Sequence, residues 1–302
     1  MIKQSKQGFT VIELLTVISI VTVLMAVLVP VLRQTCQYGR RVLGIHRQRE
    51  IVNAVTLFAC ENDDEFPPSV ALCRISGSRY RWQDPRKVKT TRPLTTMQHN
   101  SVAGYLETYL DHPESLYCPS SPGHWEYWQE AWEAQDHWDH PETATVGDPV
   151  FGTYGLYWNY TGFQTDSERP FRGSASLTGG PGQSTLLVSD YFGADEWRRR
   201  RSFGCCAPFV RAQPVNAGDY YCPYWASQRQ GDLETRGTLA LRLYAGYSDG
   251  SVTGYNPAET EIIEAAEDAL GWEPYSFSDE RWPGYFFVPN RAISTLPKSF
   301  NP

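Results

Sequence analysis

The sequence predicts an α+β protein, in which a long N-terminal membrane-spanning helix packs on a head built on an antiparallel β-sheet with long loops. Three observations predict it. Residues 9–29 read FTVIELLTVISIVTVLMAVLV, an apolar run whose single charge is Glu13. Beyond Pro30, apolar residues recur at helical spacings as far as about Asn62, where Asp63, Asp64, Glu65, Phe66, Pro67 and Pro68 stop the helix. Short apolar segments between Gly, Pro, Asn and Asp then follow, the pattern of strands and turns.

A helix over the 21 residues 9–29 covers roughly 32 Å, against a bilayer hydrocarbon thickness of ~30 Å. The run is preceded by MIKQSKQG, short and basic through Lys3 and Lys6, a flank that favours the cytoplasmic side. A secretory signal peptide would close on small residues, whereas Val29, Pro30, Val31 and Leu32 stand here, so the segment is expected to be retained. Glu13 is the exception within it. An ionised carboxylate inside a membrane helix costs about 2 to 3 kcal/mol or more, so it needs a cation. Cleavage between Gly8 and Phe9 would create one, an α-ammonium on Phe9 that can pair with Glu13 of its own or a neighbouring chain. Such a pair fixes register between helices more than it adds stability.

Gly8-Phe9-Thr10-Val11-Ile12-Glu13 resembles the processing site of type IV prepilins and type II secretion pseudopilins. The resemblance implies a pilin-like fold, cleavage after Gly8, and methylation of the Phe9 amine by a prepilin peptidase/methyltransferase. It makes Glu13 the fifth mature residue, which aligns subunits, and Pro30 a helix-bending proline. It also implies other pilin or pseudopilin subunits and an inner-membrane assembly platform as partners. The leader would be cytoplasmic and the head periplasmic, or on the cell surface once assembled. The domain division that follows is a leader at 1–8, a membrane and assembly helix at 9–29, its amphipathic continuation at 30–62, and a head at 63–302. Parts of the head resemble long-headed pilin-like proteins: Glu61 to Pro67, Tyr117-Cys118-Pro119, Tyr154-Gly155, Ser189-Asp190 and Ser248-Asp249-Gly250-Ser251-Val252. Where those proteins have a His ten positions before the Asp-Gly, this chain has Leu239.

Charge divides the chain. Residues 1–60 hold seven Lys/Arg and two Asp/Glu, and the remainder holds 20 and 32. A head so acidic repels phosphate backbones, and no nucleic-acid partner is expected. Arg33, Arg40, Arg41, Arg47 and Arg49 outnumber the leader lysines, so a positive-inside count alone would put the head in the cytoplasm. The processing motif is the more specific signal and sets the expected orientation.

Within the continuation, Tyr38, Val42, Ile45, Val52, Val55 and Ala59 form the stripe expected to face the head, and Gly39 and Gly44 are points where the helix could bend. In the head, strands are expected at 155–160, 185–189, 239–246 and 252–255, the last two joined by a Ser248-Asp249-Gly250 hairpin turn. Helices are expected at 102–110 and 257–270. The second carries Asn256 as N-cap, Pro257 in the first turn and Glu259 in capping-box position. Residues 119–149, polar and Trp-rich, read as a long loop.

Three chemical readings are weaker. Gly246-Tyr247-Ser248-Asp249-Gly250 matches G-x-S-x-G, but no His follows His140 and the next segment reads as a strand, so a hairpin is expected and no catalytic residue is assigned. His124, Asp136, His137, Asp139 and His140 could offer metal ligands, yet interleaved Trp125, Trp128, Trp132 and Trp138 fit an aromatic surface equally, and no metal or cofactor is assigned. Asp190, Asp249 and the 63–65 acids offer oxygens for calcium, and Arg198 to Arg201 read as a solvated loop tip. Seven cysteines contain no Cys-x-x-Cys. Cys60, Cys73, Cys118, Cys205, Cys206 and Cys222 could pair in 15 ways, with Cys36 left over. The expected role is therefore a structural filament subunit. The alternatives are a monomeric membrane-anchored binding protein or adhesin and a tethered metalloenzyme.

Overall fold

The computed structural model describes residues 10–74, 81–90, 99–120, 128–139, 150–164, 169–195, 201–204, 209–212, 225–230, 242–265 and 283–294. It comprises two compact units, Met1–Leu43 and Gly44–Pro302. The fold is α+β and pilin-like, with a long apolar N-terminal helix and an antiparallel β-sheet head.

The helix runs Val11–Glu61, 51 residues without interruption. Its N-terminal part, in the first unit, is exposed on every side, and it is the one described helix long and apolar enough to cross a membrane. Hydroxyl residues in this run are neutralised locally: Thr16, Ser19 and Thr22 donate to the carbonyls of Ile12, Leu15 and Ile18 at 2.8, 2.8 and 2.7 Å. Those bonds let polar side chains sit in an apolar setting. Pro30 lies inside the helix. Lacking an N–H, it leaves the carbonyl of Ala26 without its helical donor. Gly39 and Gly44 both keep helical backbone, because a single glycine costs only about 1 kcal/mol relative to alanine.

From Gly44 onward, one stripe of the helix is buried: Gly44, Gln48, Ile51, Val52, Ala54, Val55 and Ala59. The expected stripe is right for Val52, Val55 and Ala59, but Tyr38 and Val42 are exposed and Ile45 is only half-buried. Gln48 takes the place that an apolar rule could not assign. The helix ends as its sequence requires. Asp63 and Asp64 adopt left-handed φ angles of 53° and 65°, and the Asp64 N–H donates back to the Ala59 carbonyl at 3.0 Å. This closure satisfies end carbonyls that helical geometry leaves orphaned.

Two sheets make up most of the head. The first, in spatial order, is Val252–Tyr255, Leu243–Tyr247, Leu186–Asp190 and Tyr154–Leu156, all antiparallel. The second has eight described strands, among them Phe192–Asp195, Pro283–Pro289, Thr260–Ala265 and Thr161–Gln164 as consecutive neighbours. The chain passes repeatedly between the two sheets, at its shortest through the single residue Tyr191 and through the turn that begins at Asn256. One core cluster joins Ile51, Val52 and Val55 to Leu187, Val188, Tyr154 and Trp158. A second joins Leu243, Ala245 and Tyr247 to Phe171, Ile263, Phe287 and Val288. Alternation along 243–247 explains the division. Leu243, Ala245 and Tyr247 enter the second cluster, while Gly246 faces the helix.

Several expected elements are corrected. The strand expected at 155–160 is Tyr154–Leu156, followed by a turn in which Asn159 has φ +50°. Those at 185–189 and 239–246 are Leu186–Asp190 and Leu243–Tyr247, with residues 239–241 outside the described set. The helix expected at 102–110 is a single turn, Ala103–Leu106. The helix expected at 257–270 is a 3₁₀ turn, Pro257–Glu259, followed by the strand Thr260–Ala265, with 266–270 outside the described residues. The capping box at Asn256 and Glu259 does form. It caps a single turn because Thr260, Ile262 and Ile263 are β-branched and pair with 285–289 on one side, while Ile263 to Ala265 pair with 162–164 on the other. The loop expected at 119–149 contains a helix, Trp128–Ala134, which buries Trp128 and Trp132.

The Gly246 contact tests the packing of the helix against the first sheet. A Cβ there would lie 2.6 Å from Val52 Cγ2 and 2.9 Å from Val188 Cγ1. Gly246→Ala is expected to destabilise the protein by about 1–3 kcal/mol, read as a lower denaturation midpoint by tryptophan fluorescence. A midpoint equal to wild type would show that helix and sheet do not approach this closely.

Candidate functional site

The N-terminal segment is built from its helix start. Thr10 is the last residue before the helix, and its N–H and hydroxyl both donate to Glu13 Oε2, each at 2.8 Å. In return the Glu13 N–H donates to Thr10 Oγ1 at 3.2 Å. This reciprocal pattern is a capping box, with Thr10 as N-cap and Glu13 three residues on. It also sets a carboxylate in the first turn, where the helix dipole favours negative charge. The Thr-x-x-Glu spacing at Thr10 and Glu13 is the sequence signal by which this cap can be found. Glu13 thus has local donors within its own chain, and both act on Oε2. Gly8 and Phe9 lie outside the described residues. Pro30 stands exposed in the middle of the helix.

A second constellation ties the head's share of the helix to the first sheet. Gln48, fully buried, donates from Nε2 to Asp190 Oδ1 at 3.0 Å and to the Tyr244 carbonyl at 3.2 Å. Asp190 Oδ2 accepts the Tyr244 N–H at 2.8 Å. Nearby, Arg47 donates to the Tyr117 carbonyl at 2.7 Å, and a Cβ on Gly44 would sit 3.6 Å from Pro119. Cys118 N–H donates to Thr153 Oγ1, and Tyr154 and Gly155 pair with Asp190 and Ser189. The short head pieces singled out in the sequence at 117–119, 154–155 and 189–190 therefore meet around residues 44–48 of the helix. Gln48 was missed because a lone glutamine carries no signal of burial. Asp84 and Arg86 were missed for the same reason. They form a buried, bidentate ion pair, with the guanidinium 4.6 Å from the Tyr191 ring.

The remaining candidates disperse. Ser248 occupies a hairpin turn: its N–H donates to the Thr185 carbonyl, Gly250 has φ +81°, and the chain continues into the strand Val252–Tyr255. Asp249 accepts from the Ser251 N–H at 2.9 Å and hydroxyl at 2.6 Å, and pairs with Arg291. Asp136 turns from the other members of its cluster to His99 Nδ1 at 2.6 Å and the Asn100 N–H at 3.0 Å. His124 and His140 lie outside the described residues. Among the described residues no group of three His, Cys, Asp or Glu side chains is placed to hold a metal. The calcium candidates Asp190 and Asp249 spend oxygens on Gln48, Tyr244, Ser251 and Arg291. Cys36 and Cys60 are exposed and Cys118 is buried, while the side chains of Cys73, Cys205, Cys206 and Cys222 and the run Arg198 to Arg201 fall largely or wholly outside the described set.

The hairpin has a pH signature. The Ser251 hydroxyl first, then the Ser251 N–H and Arg291, hold the Asp249 carboxyl below the usual carboxylate range. A carboxyl lowered on folding contributes stability above its unfolded value and loses it as pH falls through the folded one. Asp249→Asn is therefore expected to lower stability slightly at neutral pH and to flatten the acid limb. Parallel acid limbs for variant and wild type would exclude this contribution.

Residues 3–29 match the family model described as the prokaryotic N-terminal methylation motif. No curated protein and no solved structure matches the chain. The matched stretch contains Gly8, Phe9, the Thr10–Glu13 cap and the exposed apolar helix. The chain thus carries a prepilin motif of the type IV pilin and pseudopilin kind, which implies processing by a prepilin peptidase and association with a membrane.

Proposed function

We propose that the protein is a structural subunit, of the minor kind, in a type IV pilus or type II secretion-like filament. Its leader is removed after Gly8, the Phe9 amine is methylated, and the exposed helix packs against the helices of other subunits. The observation that carries this reading is the coincidence of the methylation motif at residues 3–29 with a helix whose apolar residues are exposed on every side. Such a surface is stable only in lipid or against other apolar helices. Glu13 is then the one charge inside the packed region, and the new ammonium is its intermolecular partner. Thr10 holds the carboxylate ready for that partner, since among the described residues Oε1 takes no hydrogen bond.

The subunit would sit in the inner membrane with its head outside the cytoplasm, delivered to an assembly platform. Nothing in this role calls for a catalytic centre or a bound cofactor. The alternative is a monomeric anchored binding protein that uses the same helix only as a tether.

Two measurements separate these readings. In a host with prepilin peptidase, the membrane-extracted protein is expected to begin at a methylated Phe9 by intact mass, and an N-terminus at Met1 would refute processing. Glu13→Ala is expected to leave the protein in the membrane fraction but abolish its recovery in sheared filaments. Unimpaired filament incorporation would instead remove Glu13 from assembly.

A further inference from the structure

The first unit ends in a feature that packing does not absorb. After the apolar run, residues 30–43 contain Arg33, Arg40 and Arg41 and no acid, and the first acid after Glu13 is Glu50. All three arginines are exposed, as is Tyr38 between them, 66% accessible. We propose that Arg33, Arg40 and Arg41, with Tyr38, form a collar that binds the anionic headgroups of phospholipids where the helix leaves the membrane.

Position argues for lipid as the occupant. Arg33 follows directly on Leu32, the end of the apolar run, and the headgroup layer is roughly 5–7 Å deep on each face of a bilayer. Arg40 lies two helical turns beyond Arg33 on nearly the same face, and Arg41 is its neighbour, about 10–12 Å further along the axis. Side chains on a helix lean toward its N-terminus, which here is toward the membrane, and the long arginine stem extends that reach. Tyrosine is enriched at the membrane–water boundary because its ring is apolar and its hydroxyl is wet. Clustered cations beside a span attract anionic lipid within a Debye length of the surface. Guanidinium suits the task, since its fork of donors matches a phosphate.

The inference rests on the proposed processing for its consequence. Cleavage after Gly8 removes Lys3 and Lys6, the basic residues on the other flank of the span. The collar is then the only cationic anchor that the first unit keeps besides its new terminus. It resists displacement of the helix along its axis until assembly supplies other contacts.

The test uses the full-length chain in lipid nanodiscs with equal phosphatidylglycerol and phosphatidylcholine, weighed intact with its adherent lipids. Wild type is expected to retain phosphatidylglycerol preferentially. The preference should fall on the order of fivefold for each arginine removed in the series Arg33→Gln, Arg40→Gln and Arg41→Gln, and should weaken with added salt. Glutamine keeps helix propensity, so these exposed changes leave the fold intact. Equal retention of both lipids by wild type, or a preference that survives in the triple variant, overturns the proposal. Cross-linking between copies in the same discs covers the rival occupant: cross-links lost in the triple variant without any lipid preference in wild type would assign the collar to an acidic neighbour and overturn it as well. The same spectra report the N-terminus. For protein made in a host with prepilin peptidase, a chain beginning at Met1 refutes the processing reading, while the arginine series still decides the collar independently.

Discussion

The head depends on one close approach, that of the stem helix to the first sheet. Gly246 has no side chain where Val52 and Val188 arrive, and the buried Gln48 amide reaches over the gap to Asp190 and to the Tyr244 carbonyl. Burying a polar group costs free energy unless it is paired, so the two bonds donated by Gln48 Nε2 are directional as well as attractive. They fix which face of the helix meets which strands. A purely apolar stripe could rotate or slide by a turn at small cost, whereas a bidentate amide to a carboxylate and a carbonyl cannot. Strand 243–247 transmits the constraint, because its alternate residues enter the second core cluster against Ile263, Phe287 and Val288.

The same helix meets two opposite solvent demands at its two ends. Before Leu43 its apolar side chains are exposed on all sides, and the few hydroxyls are folded back onto carbonyls one turn earlier. After Gly44 a stripe is buried, and the exposed positions are mostly polar, with Leu57 the exposed large apolar residue. Glu13 fits the first regime because the helix start supplies two donors to it, which lowers the cost of carrying a charge into an apolar segment. Capping and intermolecular pairing are compatible roles for one carboxylate, since the local bonds use a single oxygen.

Local signals succeed or fail here according to whether a competing interaction exists. The Ser248-Asp249-Gly250 turn is formed as read, because Gly250 alone supplies the positive φ and both flanking strands have partners. The capping box at Asn256 and Glu259 is equally real, yet the helix it announces is replaced by a strand. A cap determines how a turn starts, not how far it propagates. Propagation at 260–265 is decided by ladders on both sides, and Ile263 gains more from burial in the second cluster than from one face of a short helix. His137 and Asp139 failed to gather with Asp136 for a related reason: Asp136 found His99 and Asn100, thirty-odd residues away in sequence.

The sequence by itself determined the features that one stretch of chain can encode: the apolar helix, the methylation motif at residues 3–29, the Thr10–Glu13 cap, the helix stop after Glu61, and the α+β class. Each depends on neighbours within a few residues, where propensity, capping and hydrophobic length act without help from the rest of the molecule. Only the tertiary structure decided that Gln48 is buried, that Asp190 binds the helix instead of an ion, that Gly246 is a contact point, and that residues 260–265 form a strand. Those outcomes compare a residue's options across partners about 20 to 200 positions distant, and the free energy of burial is assigned only once those partners are in place.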